Sequence, residues 1–327
     1  MTASPKPVFC TYFDGGYLPQ GLALLASLER HAPGHRLWVL ALDDACHRLL
    51  SRLGHPALRV LALEEVHTPE LREARANRSW GEYCWTLTPF LPEWVLERDP
   101  EAETVTYIDA DCWLAGPVAP LLDRFEASGA ACMITPHAYT PHRDRTATAG
   151  TYCVQFMPFR RGPEALEILR WWRERCLERC GGQLGQGPLG DQGYLEDWPD
   201  RFGARVFVLD QPWLTLAPWN IERFWGRKAA PCLFHFQGFR LYRLGGWLVI
   251  RASAGVPLDR DAISLLHGPY LGDILATLSQ LPARSLAPRA VPTPLQDPRG
   301  VLLLIPRLVA LHWVVWLRPL PPALRGG

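Results

Sequence analysis

Between Val8 and Leu63 the chain alternates between two periodicities, and no other feature limits its fold so strongly. The runs "VFCTYF", "RLWVLAL" and "ALRVLAL" read as buried strands, while "YLPQGLALLASLERH" and "DDACHRLLSRL" between them repeat leucine at helical spacing. Such alternation favours a mostly parallel sheet with helices on its faces. Further along, "TVTYID", "AACMITP", "TYCVQFMPF", "RVFVLD" and "PCLFHFQGF" return to strand patterns, and "EYCWTLTPFLPEWVLE" contains helix. "PEALEILRWWRERCLERCGG" is an amphipathic helix with proline near its start and glycines past its end. A chain of 327 residues buries a full core as one large domain or two joined ones.

The strand of "TVTYIDADCWLAGPVAPLL" ends on two aspartates, Asp109 and Asp111, before the chain turns through Gly116-Pro117 toward another helical segment. About one D-x-D is expected by chance in a chain of this length. A second copy, Asp259 to Asp261 in "VPLDRDAISLL", follows a proline-containing loop and precedes a helical pattern, so capping and the helix dipole account for it. The first copy differs because Val105, Tyr107 and Asp109 share one side of a period-2 run, which puts the aspartates at a strand end, where open α/β sheets bind ligands. Two carboxylates there repel unless a cation sits between them. Mg²⁺ in particular is held by one or two carboxylates plus substrate phosphates, so the chemistry indicated is a metal-held diphosphate.

Composition removes several classes. A formal net charge of +1 and the lack of a long basic stripe argue against nucleic acid as a partner. Nine cysteines occur without a C-x-x-C pair, the pattern of reduced thiols in a cytosolic protein, and "MTASPKPVFCTYF" lacks the apolar core of a signal peptide. Fourteen tryptophans are read first as packing residues, although sugar sites also use aromatic platforms.

The ordered pieces "TYFDGGYLPQGLALLASLERH", "EYCWTLTPFLPEWVL", "YIDADCWL", "GTYCVQFMPFRR", "WWRERCLERC", "GDQGYLEDWP", "LAPWN" and "LFHFQGFR" together resemble bacterial glycosyltransferases of the GT-A fold, especially the family-8 type of surface-polysaccharide clusters. The resemblance covers about Val8 to Leu278. It implies an α/β fold with a Rossmann-like nucleotide-binding half and an acceptor half, over residues 1–278. It also implies transfer of a hexose, with retention, from a nucleotide diphosphate sugar to a glycan or glycolipid hydroxyl, a UDP-sugar being the first donor to consider. Asp109, Asp111 and His235 would hold Mn²⁺ or Mg²⁺. Thr11, Tyr12 and Asp14 would contact the nucleoside, with Asp14 equally placed to be a turn residue before Gly15-Gly16. Arg78 would approach the donor, unless Arg72, Arg75 and Arg78 form a solvated helix face. Asp109 would also reach donor hydroxyls. His235, beside Phe234 and Phe236, has a core histidine as its alternative.

This chain departs from the family in two places. Where many members carry a Lys-Pro-Trp group it has "GFRLYR", so that Gly238 and Arg240 or Arg243 would meet the diphosphate. Gln155 stands at a position that is usually glycine or small and polar. Asp191 and Gln192 of "GDQ" would lie at the acceptor side of the cleft and take part in catalysis; a helix N-cap is the other role open to Asp191. Were transfer inverting, Asp191 would be the base. The competing functions are a sugar-nucleotide nucleotidyltransferase, for which "FDGGYLPQG" lacks a basic residue, and a non-catalytic scaffold of a polysaccharide assembly complex.

Residues 279–300 are rich in proline and read as a linker. Residues 301–327 begin with an apolar run to Leu317, interrupted by Pro306, Arg307 and His312, at the lower limit of spanning length. The expectation is an interfacial membrane helix or a partner-docking helix, making a cytoplasmic protein peripheral at the inner face of the membrane through 301–317.

Overall fold

The computed structural model describes residues 6–182, 189–226, 228–244, 247–251 and 260–280, with the backbone of 289–290 and 315–319. The expected alternation is present: β1 (Val8–Phe13), α1 (Leu18–His31), β2 (Arg36–Ala41), α2 (Asp44–Leu53) and β3 (Leu58–Ala62) follow one another. Three helices come next, α3 (Pro69–Asn77), α4 (Trp80–Leu87) and α5 (Phe90–Arg98), and then β4 (Thr104–Ile108) and β5 (Cys112–Leu114). The middle of the chain forms α6 (Ala119–Ser128), β6 (Cys132–Pro136), a single turn α7 (Thr146–Ala149), β7 (Tyr152–Cys153), β8 (Phe156–Arg160) and α8 (Pro163–Glu178). After it come α9 (Trp198–Phe202), β9 (Val206–Val208), β10 (Thr215–Leu216), α10 (Ile221–Phe224) and β11 (Leu233–His235). The last elements are β12 (Arg240–Leu244), β13 (Trp247–Arg251), α11 (Arg260–Ala262), α12 (Gly268–Gln280), β14 (Arg289–Ala290) and β15 (Val315–Pro319).

Local signals explain the boundaries. The Asp43 carboxylate accepts from the Cys46 N–H at 2.7 Å to start α2, and Gly54 ends it in the left-handed conformation at φ +58°. Ser79 and Glu82 close a capping box at the start of α4, with the Ser79 N–H donating to Glu82 Oε2 at 3.0 Å.

The main sheet has eight strands in the order β3-β2-β1-β4-β8-β6-β7, with β9 beside β6. Strands β3, β2, β1 and β4 run parallel, as do β6 and β9, whereas β8 enters antiparallel between β4 and β6. Side-chain alternation then splits the core in two: Phe9, Phe13 and Ile108 face α1, α6 and α12, while Val8, Cys10, Val105 and Tyr107 face α4, α5 and α8. A smaller sheet, β10-β11-β5, lies beyond the end of β4. Helix α12 is fastened to α1 by Arg30, whose guanidinium grips the Asp273 carboxylate at 2.5 and 3.2 Å.

The C-terminal region departs from the expected linker and helix where it is described. Residues 279 and 280 close α12, Arg289–Ala290 pairs parallel with β12, and Val315–Pro319 pairs antiparallel with β13. From Val315 the chain is therefore a strand rather than the helix anticipated to Leu317: "VWL" is β-branched and aromatic, and β13 supplies a ladder for it. The rest of the anticipated helix, residues 301–314, lies outside the described residues, as does Asp259 of the second D-x-D. Among the described residues no helix is long and apolar enough to cross a membrane.

Candidate active site

Strand pairing brings the three anticipated ligands together. Strand β4 ends at Ile108, and the Asp109 N–H continues the β8 ladder to the Gln155 carbonyl at 3.2 Å. The Cys112 N–H returns to the Asp109 carbonyl at 3.0 Å, a tight turn that sets both carboxylates at the end of the strand before β5 begins. Strand β11 pairs antiparallel with β5 in the register His235 to Cys112, and the Phe236 N–H donates to the Asp111 carbonyl at 2.8 Å. His235 consequently stands beside Asp111 although 124 positions separate them. One ligand atom from each of Asp109, Asp111 and His235 falls within 4.8 Å of the others. His235 Nε2 is 3.0 Å from Asp111 Oδ1 and 3.7 Å from Asp109 Oδ2.

The three groups shift one another's titration. Burial alone would lower the His235 pKa, but the Asp111 carboxylate, with Asp109 behind it, outweighs burial and raises it well above the ordinary range. Burial would likewise raise Asp111, and the His235 charge overcomes it, so Asp111 is lowered. Asp109, farther from the ring, stays raised by burial, with the Asp111 charge adding. Two carboxylate oxygens from the turn between β4 and β5 and one imidazole nitrogen from β11 form a donor set that suits a divalent cation.

Asp191 is 3% exposed and follows Gly190, which adopts φ +58°. The anticipated cap is present. Oδ1 accepts the Gln192 N–H at 2.9 Å as a cap, whereas Oδ2 is buried without a hydrogen-bond partner. Burial pushes this carboxyl up to about 7; the Asp109 charge adds to the shift, and the Thr88 hydroxyl and nearby amides oppose it. The Trp172 indole fixes the backbone by donating to the Asp191 carbonyl at 2.9 Å. Gln192 is turned toward the segment before β7, its amide donating to the Ala149 carbonyl at 2.8 Å.

The residues anticipated around the donor divide into two groups. Thr11 is fully buried at the end of β1 with its hydroxyl unpartnered, and the Tyr12 hydroxyl is 3.1 Å from Thr88 Oγ1. Gly238 holds φ +84° in the turn that returns the Phe239 N–H to the Phe236 carbonyl at 2.9 Å. Arg240 lies over the Tyr17 ring at 5.2 Å, and its charge helps to lower Asp111. The side chain of Arg243 lies outside the described residues. Asp14 makes structural bonds: its carboxylate accepts from the Gly16 N–H at 2.9 Å, the Tyr17 N–H at 3.2 Å and the Trp80 indole at 3.0 Å. Arg78 is neither solvated nor turned to the cluster. Its guanidinium donates to the carbonyls of Cys176, at 2.6 Å, and Leu177 at the end of α8, and to Thr86 Oγ1. A helix end needs donors for its last carbonyls, and Arg78 supplies them.

Three residues that sequence reasoning did not place also shape the site. The Tyr107 hydroxyl donates to Asp109 Oδ1 at 2.8 Å. Gln155 Oε1 is 3.0 Å from His235 Nδ1. The Trp219 ring meets the His235 ring edge to face at 5.4 Å. Of these, Tyr107 carried a readable signal, since it shares the face of Asp109 on the strand.

No family model matches the chain. Two Bacillus subtilis (strain 168) proteins, both uncharacterized, are similar to it over most of their length. YfnF is 30% identical over 248 residues, 71% of this chain and 82% of that protein. YfnD is 30% identical over 283 residues, 80% of this chain and 87% of that protein. Among solved structures, the galactosyltransferase LgtC in complex with donor and acceptor sugar analogs matches 85% of this chain and 98% of its own, with a TM-score of 0.50 and 14% identity. At that identity the likeness is one of fold, and the fold is GT-A.

Proposed function

Because the chain belongs to the family of the Bacillus subtilis proteins YfnF and YfnD, and is built on the GT-A fold, we propose that it is a glycosyltransferase. It moves a hexose from a nucleotide diphosphate sugar to a hydroxyl of a glycan or glycolipid. The carrying observation is the convergence of Asp109, Asp111 and His235 at the end of β4. LgtC, with which the chain shares its fold, was solved with donor and acceptor sugar analogs, which supports a sugar donor and a sugar acceptor.

In this reading Asp109, Asp111 and His235 hold Mn²⁺ or Mg²⁺, which when bound neutralises charge on the diphosphate leaving group. Arg240 adds a fixed positive charge on the Asp111 side, where a guanidinium suits phosphate oxygens. Thr11 and Tyr12, at the end of β1, bound the nucleoside side, and the turn at Gly238 bounds the diphosphate side. Asp191 and Gln192 face the acceptor. With retention, the departing phosphate oxygen takes the proton of the attacking hydroxyl, and a UDP-sugar is the donor to try first.

The test is nucleoside diphosphate release from a panel of sugar nucleotides, with and without Mn²⁺, beside a pyrophosphate-exchange assay. Cation-dependent release from one donor is expected. Exchange without release would indicate a nucleotidyltransferase, and silence in both assays with every donor would overturn the proposal.

A further inference from the structure

Gln155 occupies the junction between β7 and β8 and is wholly buried. It touches the cation cluster twice. Its backbone carbonyl accepts the Asp109 N–H at 3.2 Å and the Cys112 thiol at 3.7 Å, and its side-chain Oε1 meets His235 Nδ1 at 3.0 Å. Asp111 is held from the other side by the Phe236 N–H. One residue therefore stitches together the two corners of the cluster that no direct backbone bond joins, one on the turn after β4 and the other on β11.

The way the amide is satisfied indicates what it does. Gln155 Nε2 is buried with no hydrogen-bond partner, and an orphaned buried donor is destabilising. A methionine of similar length would fill the same space without that cost. What the amide offers in return is an acceptor aimed at Nδ1. An acceptor there holds a ring proton on Nδ1 and makes Nε2, the nitrogen on the side of Asp111 and Asp109, the one through which the ring would ligate a metal.

From this geometry we infer that Gln155 is a positioning residue for a divalent cation: it fixes the ring orientation and tautomer of His235, and through its carbonyl the placement of Asp109. The inference rests on the proposal that Asp109, Asp111 and His235 bind such a cation. Residues that orient a ligand in this way commonly contribute 10- to 100-fold to metal affinity.

The test measures Mn²⁺ directly, by titration of the purified full chain followed by electron paramagnetic resonance, so that it does not depend on turnover. Gln155→Met, which removes the acceptor and keeps the volume, should weaken Mn²⁺ binding about 10- to 100-fold. Gln155→Glu restores an acceptor for Nδ1 and should bind at least as well as the original protein. Gln155→Asn, which withdraws the amide by one methylene, should follow Gln155→Met and gives the same reading if the methionine variant does not fold. Metal-free melting of each variant separates lost affinity from lost structure. Wild-type affinity in Gln155→Met or Gln155→Asn, with binding lost in Asp111→Asn, would overturn the role of Gln155 and leave the cation site standing. Failure of the unmutated chain to bind Mn²⁺ would remove the cation site itself.

Discussion

The Tyr107 hydroxyl donates to Asp109 Oδ1 across 2.8 Å, so the carboxylate at the end of β4 is oriented by a residue two places earlier on its own strand. Tyr107 is 2% exposed, and this bond favours the ionised form of Asp109 against a burial that disfavours it.

Tyr107→Phe should accordingly keep the fold and weaken the cluster. Loss of one hydrogen bond to a charged group is worth about 1.5 kcal/mol, or roughly a tenfold weaker Mn²⁺ affinity. Asp109 should also hold its proton to a higher pH, so the pH at which Mn²⁺ binding is half complete should rise. An unchanged binding curve at every pH would show that Asp109 does not need Tyr107.

Asp191 supplies a stability prediction whose sign is set by its raised pKa. The folded carboxyl titrates near 7, against an ordinary value of 3.8. Between about pH 4 and pH 7 the folded protein retains a proton that the unfolded chain gives up, so stability falls as pH rises through that window. Asp191→Asn stays neutral and still accepts the Gln192 N–H. In metal-free urea melts its advantage over the unmutated protein should be near zero below pH 4, grow with pH, and level off above pH 7 at up to about 4 kcal/mol. A difference that does not vary with pH would show that the carboxyl is not held neutral.

Arg78 was anticipated near the donor and instead closes the end of α8. Arg78→Met should destabilise the protein by about 2 kcal/mol, because the Cys176 and Leu177 carbonyls lose their donors. Nucleoside diphosphate affinity, measured where the variant is still folded, should not change. A selective loss of nucleotide affinity with melting unaltered would return Arg78 to the donor.

These residues show which parts of the site the sequence could disclose. Asp109 and Asp111 were legible because strand periodicity placed them at a sheet end, and the first five elements were legible from their spacing alone. His235 needed a resemblance, since only the β5 to β11 register brings it to Asp111. Gln155 looked like a departure at a small-residue position, and its side-chain bond reaches His235 across 80 positions. Arg78 misled for a related reason: a basic residue beside a helix pattern gives no sign of which distant carbonyls it will reach.

The C-terminal strand carries the remaining prediction. β15 lies at one edge of the sheet β14-β12-β13-β15, with Val315 opposite Arg251 and Pro319 opposite Trp247. A chain ending at residue 299 would lose that strand and leave one side of β13 with unpaired N–H and C=O groups, a template for intermolecular pairing. The sequence pattern suggested an interfacial membrane helix or a partner-docking helix there. Strand pairing points the other way, because β13 is also joined to β12, which begins at Arg240, whose charge helps to lower Asp111. Deleting residues 300–327 should therefore increase aggregation and speed hydrogen exchange at 247–251. A truncated protein that stays monomeric with unchanged exchange at those residues, and that loses only its sedimentation with anionic vesicles, would restore the membrane anchor.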